Sequence, residues 1–111
     1  MPSSTEVHPV DRAAKHIENT VAMPEGAAPL DKYHRYYIAS ELEGRDIIMA
    51  QYHLGDHYLT RSTEIKGLDQ AYRVTDPLGI PFIRDGGCGV VNLIYDIELK
   101  AIVSVDCNGS A

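Results

Sequence analysis

Two cysteines, three of the five histidines and a surplus of tyrosines are the side chains of this sequence best equipped for chemistry. Cys88 and Cys107 are the only cysteines, and no Cys-x-x-Cys is present. Two cysteines do not make a disulfide framework, so thiols buried as small hydrophobes are the expected state. The alternative is a redox pair, although no flanking cation or helix N-terminus is visible to lower a thiol pKa. Around the cysteines lie Asp85-Gly86-Gly87-Cys88 and Cys107-Asn108-Gly109. Glycines let a backbone approach a ligand closely, and Asp85 and Asn108 carry groups that bind polar atoms. The same residue types also form ordinary turns.

His53 and His57 are four apart, with Gly55 and Asp56 between them. On a helix this spacing would turn both imidazoles toward one metal ion. Gly55 interrupts, and the preceding residues alternate like a strand, so the pair is expected to bracket a turn. His34 would approach from the neighbouring strand, opposite Leu54. No fourth ligand is indicated, so exposed histidines without metal are expected. Seven tyrosines stand against one phenylalanine and no tryptophan. Tyr36 and Tyr52 are expected inside, and Tyr33, Tyr37 and Tyr58 outside. Amphipathic rings suit a wet pocket or a contact surface. Tyr37 and Tyr52 therefore join Asp85, Cys88, Cys107 and Asn108 as candidate ligand or partner contacts. No spacing forces two carboxylates together, and no nucleophile turn or phosphate-binding glycine loop appears. Asp46 and Asp85 are lone carboxylates, no catalytic residue can be named, and no cofactor is implied.

These residues must be positioned by a small set of elements. Residues 1–8 read as a tail. Pro9 fits the first position of a helix, where its missing N–H costs nothing. Val10, Ala13, Ala14, Ile17 and Val21 then recur at helical spacing, with Arg12, Lys15, Glu18 and Asn19 on the other side. Pro24-Glu25-Gly26 ends the pattern, and residues 23–32 form a linker. The period then changes to two. Tyr36, Ile38 and Leu42 share a face of one strand, and Ile48, Ala50, Tyr52 and Leu54 share a face of the next. Gly44 supplies the hairpin turn. Pairing Leu42 with Asp46, Ile38 with Ala50 and Tyr36 with Tyr52 gathers the apolar residues on one side.

Residues 57–63 and 71–74 are β-prone, and Gly67-Leu68-Asp69 is a turn. Pro77 and Pro81 mark a loop, and Asp85-Gly86-Gly87 another turn. Val90–Tyr95 and Ala101–Val105 form a last hairpin. If Val91, Leu93, Tyr95, Val103 and Val105 face inward, the two thiols point to opposite faces. If Val90 and Ile94 face inward, Cys88 falls opposite Cys107 and can bridge. The first register buries Asn92 less and is preferred; a bulge at Gly86-Gly87 or Gly89 reverses it. The expected fold is α+β: one helix on four or five antiparallel strands, a single domain over residues 9–111.

Composition agrees with one folded domain. The chain has 111 residues, 44% hydrophobic and 23% charged, with a net charge of −6. Its ten Lys and Arg are scattered with no two adjacent, which disfavours nucleic acid and anionic membrane surfaces. No segment is long and apolar enough to span a membrane, and Met1–Glu6 lacks the features of an export signal. A cytoplasmic location is the expectation.

One helix, a linker and an antiparallel sheet resemble the arrangement of the cystatins. Gln51-Tyr52-His53-Leu54-Gly55 is similar to the Gln-x-Val-x-Gly hairpin of that family, with His53 in place of valine and an additional strand before it. The resemblance implies a fold arrangement and does not extend to protease inhibition. The last quarter, from Asp85-Gly86-Gly87-Cys88 to Cys107-Asn108-Gly109, is similar to small bacterial proteins without assigned activity. The leading expectation is a non-enzymatic binding domain that meets a partner or a second copy through a sheet edge or outer face. The alternatives are a small-molecule binder or isomerase-like enzyme with a pocket between helix and sheet, as in the ketosteroid isomerase-like proteins, and a redox or metal role for the cysteines and histidines.

Overall fold

The computed structural model describes residues 8–54, 62–76 and 87–108. Asp85, His57, Tyr58 and the two proline positions Pro77 and Pro81 lie outside the described residues. The helix α1 spans Pro9–Thr20. Pro9 opens it, and His8 is its cap rather than part of a tail: the His8 Nδ1 accepts the Val10 N–H at 3.1 Å. Val10, Ala13, Ala14 and Ile17 are buried as one stripe. The linker that follows holds a short 3-10 turn at Leu30–Lys32.

Six strands follow among the described residues: β1 (His34–Leu42), β2 (Arg45–His53), β3 (Ser62–Glu64), β4 (Ala71–Val74), β5 (Val90–Asp96) and β6 (Ala101–Cys107). They form one sheet in the order β3-β4-β1-β2-β5-β6. The expected four or five antiparallel strands are thus six in a mixed sheet, because β4 pairs parallel to β1. Local alternation marks a strand but carries no information about which neighbour it will join.

The β1–β2 hairpin forms, but one residue away from the expected register. Leu42 pairs with Arg45, Ile38 with Met49 and Tyr37 with Ala50. The turn is the two residues Glu43 and Gly44, with φ of 51° and 78°. Two successive left-handed residues match the twist of the flanking strands, and Gly44 adopts that conformation without a Cβ penalty. The shift exchanges the faces of β1. Tyr33, Arg35 and Tyr37 now lie on the helix side, and Tyr36 and Ile38 form a second cluster with Val74 on the other side. Leu42, expected inside, is 45% exposed.

The main core joins the helix stripe to Tyr33, Tyr37, Ile48, Ala50, Tyr52, Ile65, Ala71, Val91, Leu93 and Tyr95. Val91, Leu93 and Tyr95 face inward as expected, with Ile102 and Val105 packed against them. Val103 does not: a bulge between Ile94 and Tyr95 pairs Ser104 with Ile94 and Ile102 with Tyr95, which leaves Val103 59% exposed.

Burial separates the two registers experimentally. Ile17→Ala opens a cavity under the sheet and should lower stability by about 3 kcal/mol in urea unfolding. Leu42→Ala should change it by less than about 0.5 kcal/mol. A large loss at Leu42 would restore the register that places it inside.

Candidate functional site

Four polar side chains are built into the core between α1 and the sheet. Glu18, which helical spacing alone places toward solvent, accepts from Arg35 Nε at 2.8 Å and from the Tyr37 hydroxyl at 2.6 Å. Tyr37 and Tyr52 hydroxyls meet at 3.0 Å. Arg35 also donates through Nη1 to the carbonyls of Leu30 at 3.1 Å and Tyr33 at 2.9 Å, and through Nη2 to the Asp69 carbonyl. Burial pushes the Tyr37 phenol well up, reinforced by Tyr52 and Glu18. Burial likewise raises Tyr52. Both rings are fully buried, so neither presents a contact surface. Tyr37, expected outside, is held in by the satisfied hydroxyl at its tip.

The two cysteines are joined as a disulfide, with Cα atoms 4.6 Å apart. The expectation of separate thiols fails because Cys88 is not extended: it sits in a 3-10 turn at Gly87–Gly89, ahead of β5. Cys107, opposite Val91, ends β6 on the helix side. Asn108 closes the end, its N–H donating to the Gly87 and Val90 carbonyls at 3.1 and 2.7 Å. The Cys88 sulfur lies against Gly26, where an added Cβ would come within 3.3 Å of it. Tyr33 donates to the Cys88 carbonyl at 2.6 Å and accepts the Ala28 N–H at 3.1 Å. The cystine thereby fastens the linker to the end of the sheet. Closing a loop of 19 residues removes about 3 kcal/mol of unfolded-chain entropy in the loop-closure picture.

On the face away from α1, His34 pairs with His53 across β1–β2, not with Leu54. The two imidazoles meet aromatic rings: His34 stacks on Tyr72 at 6.4 Å, and His53 stands edge-on to Tyr36 at 5.5 Å. His53 Nε2 donates to Gln51 Oε1 at 2.8 Å. Gln51 in turn donates to Asn92 at 3.1 Å. Asn92 reaches the Asn108 side chain at 3.4 Å. This polar ladder crosses the sheet and occupies His53 and Asn108. Among the described residues no three His, Cys, Asp or Glu come together as a metal site. His53, expected to be solvent-exposed, is fully buried.

A groove of about 360 Å³ opens where α1 crosses the β5–β6 hairpin. From the helix come Pro9, Arg12, Ala13 and His16, which share one face at spacings of three and four. From the sheet come Tyr95 at the end of β5 and Ile97 and Lys100 in the turn. Asp96 fixes that turn, accepting the Leu99 N–H at 2.9 Å and Arg45 Nε at 2.6 Å. The Arg45 guanidinium, with the Leu99 N–H, holds the Asp96 carboxyl below the usual carboxylate range. His16 Nδ1 and the Tyr95 hydroxyl lie 2.7 Å apart, with the rings edge to face. Burial raises the Tyr95 phenol. With that phenol as donor, neutral His16 keeps its proton on Nε2. Sequence reasoning missed this site. Its only signal was the spacing of Arg12 and His16 beside Pro9 and Ala13, which otherwise reads as a solvated helix face.

Comparison with known protein families, curated proteins and solved structures finds no match to this chain.

The buried phenols make alkaline stability measurable. A raised phenol pKa means that the fold favours the neutral form. Stability from Tyr37, Tyr52 and Tyr95 is therefore complete below the unfolded tyrosine value near pH 10 and is lost as pH rises beyond it. In an absorbance titration these tyrosines should ionise together with loss of the native circular dichroism. If all seven tyrosines titrate as one class near pH 10 with the fold intact, the buried network is wrong.

Proposed function

We propose that this chain is a small non-enzymatic binding domain whose ligand site is the groove between α1 and the β5–β6 hairpin. The observation that carries this reading is an apolar-floored concavity at the helix–sheet junction with a His16–Tyr95 polar pair at its side. Its volume lies at the lower end of the range for small-molecule pockets. The groove is favoured over partner binding at the sheet edge. Of the two edge strands, β3 has only three residues and β6 is interrupted by its bulge, and short or bulged edges work against continuous strand addition. A helix lying over a sheet supports the cystatin-like arrangement at the level of architecture. Gln51 and His53 sit within β2 and the polar ladder, which gives no support to an inhibitory hairpin.

Titration with benzyl alcohol, a neutral aromatic fragment, followed by amide NMR, tests the site. Shifts should cluster at Ala13, His16, Tyr95 and Ile97, and Ile97→Ser should weaken binding about three- to tenfold, the loss of most of one apolar side chain. Shifts scattered over the surface, or none, would count against the groove.

No helix of the described residues is long and apolar enough to cross a membrane. The cystine supports an oxidising compartment over the cytoplasmic one expected from the N-terminal residues. Thiol labelling of the protein drawn from its own cells under acid quench should leave Cys88 and Cys107 unlabelled until reductant is added. Full labelling without reductant would return the chain to a reducing compartment.

A further inference from the structure

We infer that the groove selects anions: its ligand is a small, mostly apolar molecule bearing one carboxylate, of the aromatic-acid type. This rests on the reading of the groove as a ligand site and adds the chemical class of what it takes. The chain as a whole is acidic, with sixteen Asp and Glu against ten Lys and Arg. The groove inverts that balance. Arg12, Lys100 and His16 line it, and no Asp or Glu does among the described residues.

Elsewhere the two most deeply placed arginines are neutralised by carboxylates. Arg35 is held by Glu18, and Arg73 by both oxygens of Asp11 at 2.9 and 3.0 Å. Arg73 lines a smaller groove of about 200 Å³ on the other side of the helix start, where that pairing leaves no charge to spare. Arg12 and Lys100 form no ion pair among the described residues, and they stand on opposite walls, one on the helix and one in the β5–β6 turn. A carboxylate between them gains charge-assisted hydrogen bonds from a guanidinium and an ammonium. With the Tyr95 phenol donating to Nδ1, the His16 ring keeps its Nε2–H as a third donor. Pro9, Ala13, Ile97 and the Tyr95 ring supply the apolar floor for the body of the molecule. A mostly apolar body matched to a floor of that kind, with its charge at the rim, suits an aromatic acid better than a sugar phosphate.

Benzoate and its neutral isostere benzamide test the inference. Each is titrated by amide NMR into the native protein and into an Arg12→Gln/Lys100→Gln double variant. Both substitutions are at exposed positions outside the core, and circular dichroism checks that the fold is kept. Benzoate should bind the native protein about tenfold more tightly than benzamide. That preference should fall to about twofold or less in the double variant, and it should shrink with added salt. If both probes shift groove residues with equal affinity, the groove stands as an apolar site and anion selection is overturned. If neither shifts them, the groove reading itself falls. If the double variant keeps the tenfold preference, Arg12 and Lys100 are not the anion's partners.

Discussion

Arg35 carries a charge into the space between helix and sheet, and the protein is organised around satisfying it. An unpaired buried charge is among the most costly defects a core can hold, and removing one partner of such a pair typically costs about 3–5 kcal/mol. Here the guanidinium reaches Glu18 on α1, two carbonyls on the linker and the Asp69 carbonyl in the turn before β4. Three separate stretches of chain are thus tied to β1 by one side chain. Glu18 in turn takes the Tyr37 hydroxyl, and Tyr37 meets Tyr52, so the network runs from helix to sheet centre. Helix position, and with it the groove at the other end of the helix, follows from this arrangement.

The same interaction explains where sequence reading succeeded and failed. The helix was legible, because its stripe is purely apolar and its flanks are charged. The inner faces of β2 and β5 were legible too: Ile48, Ala50 and Tyr52 share one face, and on β5 the polar Asn92 decided between two apolar faces in favour of Val91, Leu93 and Tyr95. On β1 both faces carry large rings, and one carries Arg35. Ranking by polarity sends Arg35 outward and takes Tyr37 with it. Glu18, seventeen residues away, together with the carbonyls of Leu30, Tyr33 and Asp69, makes the opposite choice stable. The hairpin turn was located correctly, but its length of two residues rather than three decided the register.

At the two ends of the sheet, backbone devices rather than side-chain polarity set the outcome. The 3-10 turn before β5 brings Cys88 to Cys107, and the β5–β6 bulge turns Val103 outward. Gly87 and Gly89 mark the first as a place where the strand can break, and the second leaves no mark in residue type. The candidate groove was hidden for a related reason. Arg12, His16 and Lys100 are the kinds of residue that any solvated surface carries. They acquire meaning only when the helix is seen to run past the turn fixed by Asp96.

The parallel pairing of β4 with β1 bears on how the chain finds its fold. A hairpin such as β1–β2 zips from its own turn, with a short loop to close. The β1–β4 ladder joins Arg35 to Ala71, Tyr36 to Tyr72 and Tyr37 to Arg73, so its partners must meet across the whole β2 excursion. Closing a loop of that length spends entropy before any ladder bond returns it. Proteins rich in such long-range pairings fold in milliseconds to seconds rather than microseconds. Until β4 docks, one flank of β1 presents unsatisfied amides and carbonyls, an invitation to neighbouring chains during synthesis or refolding.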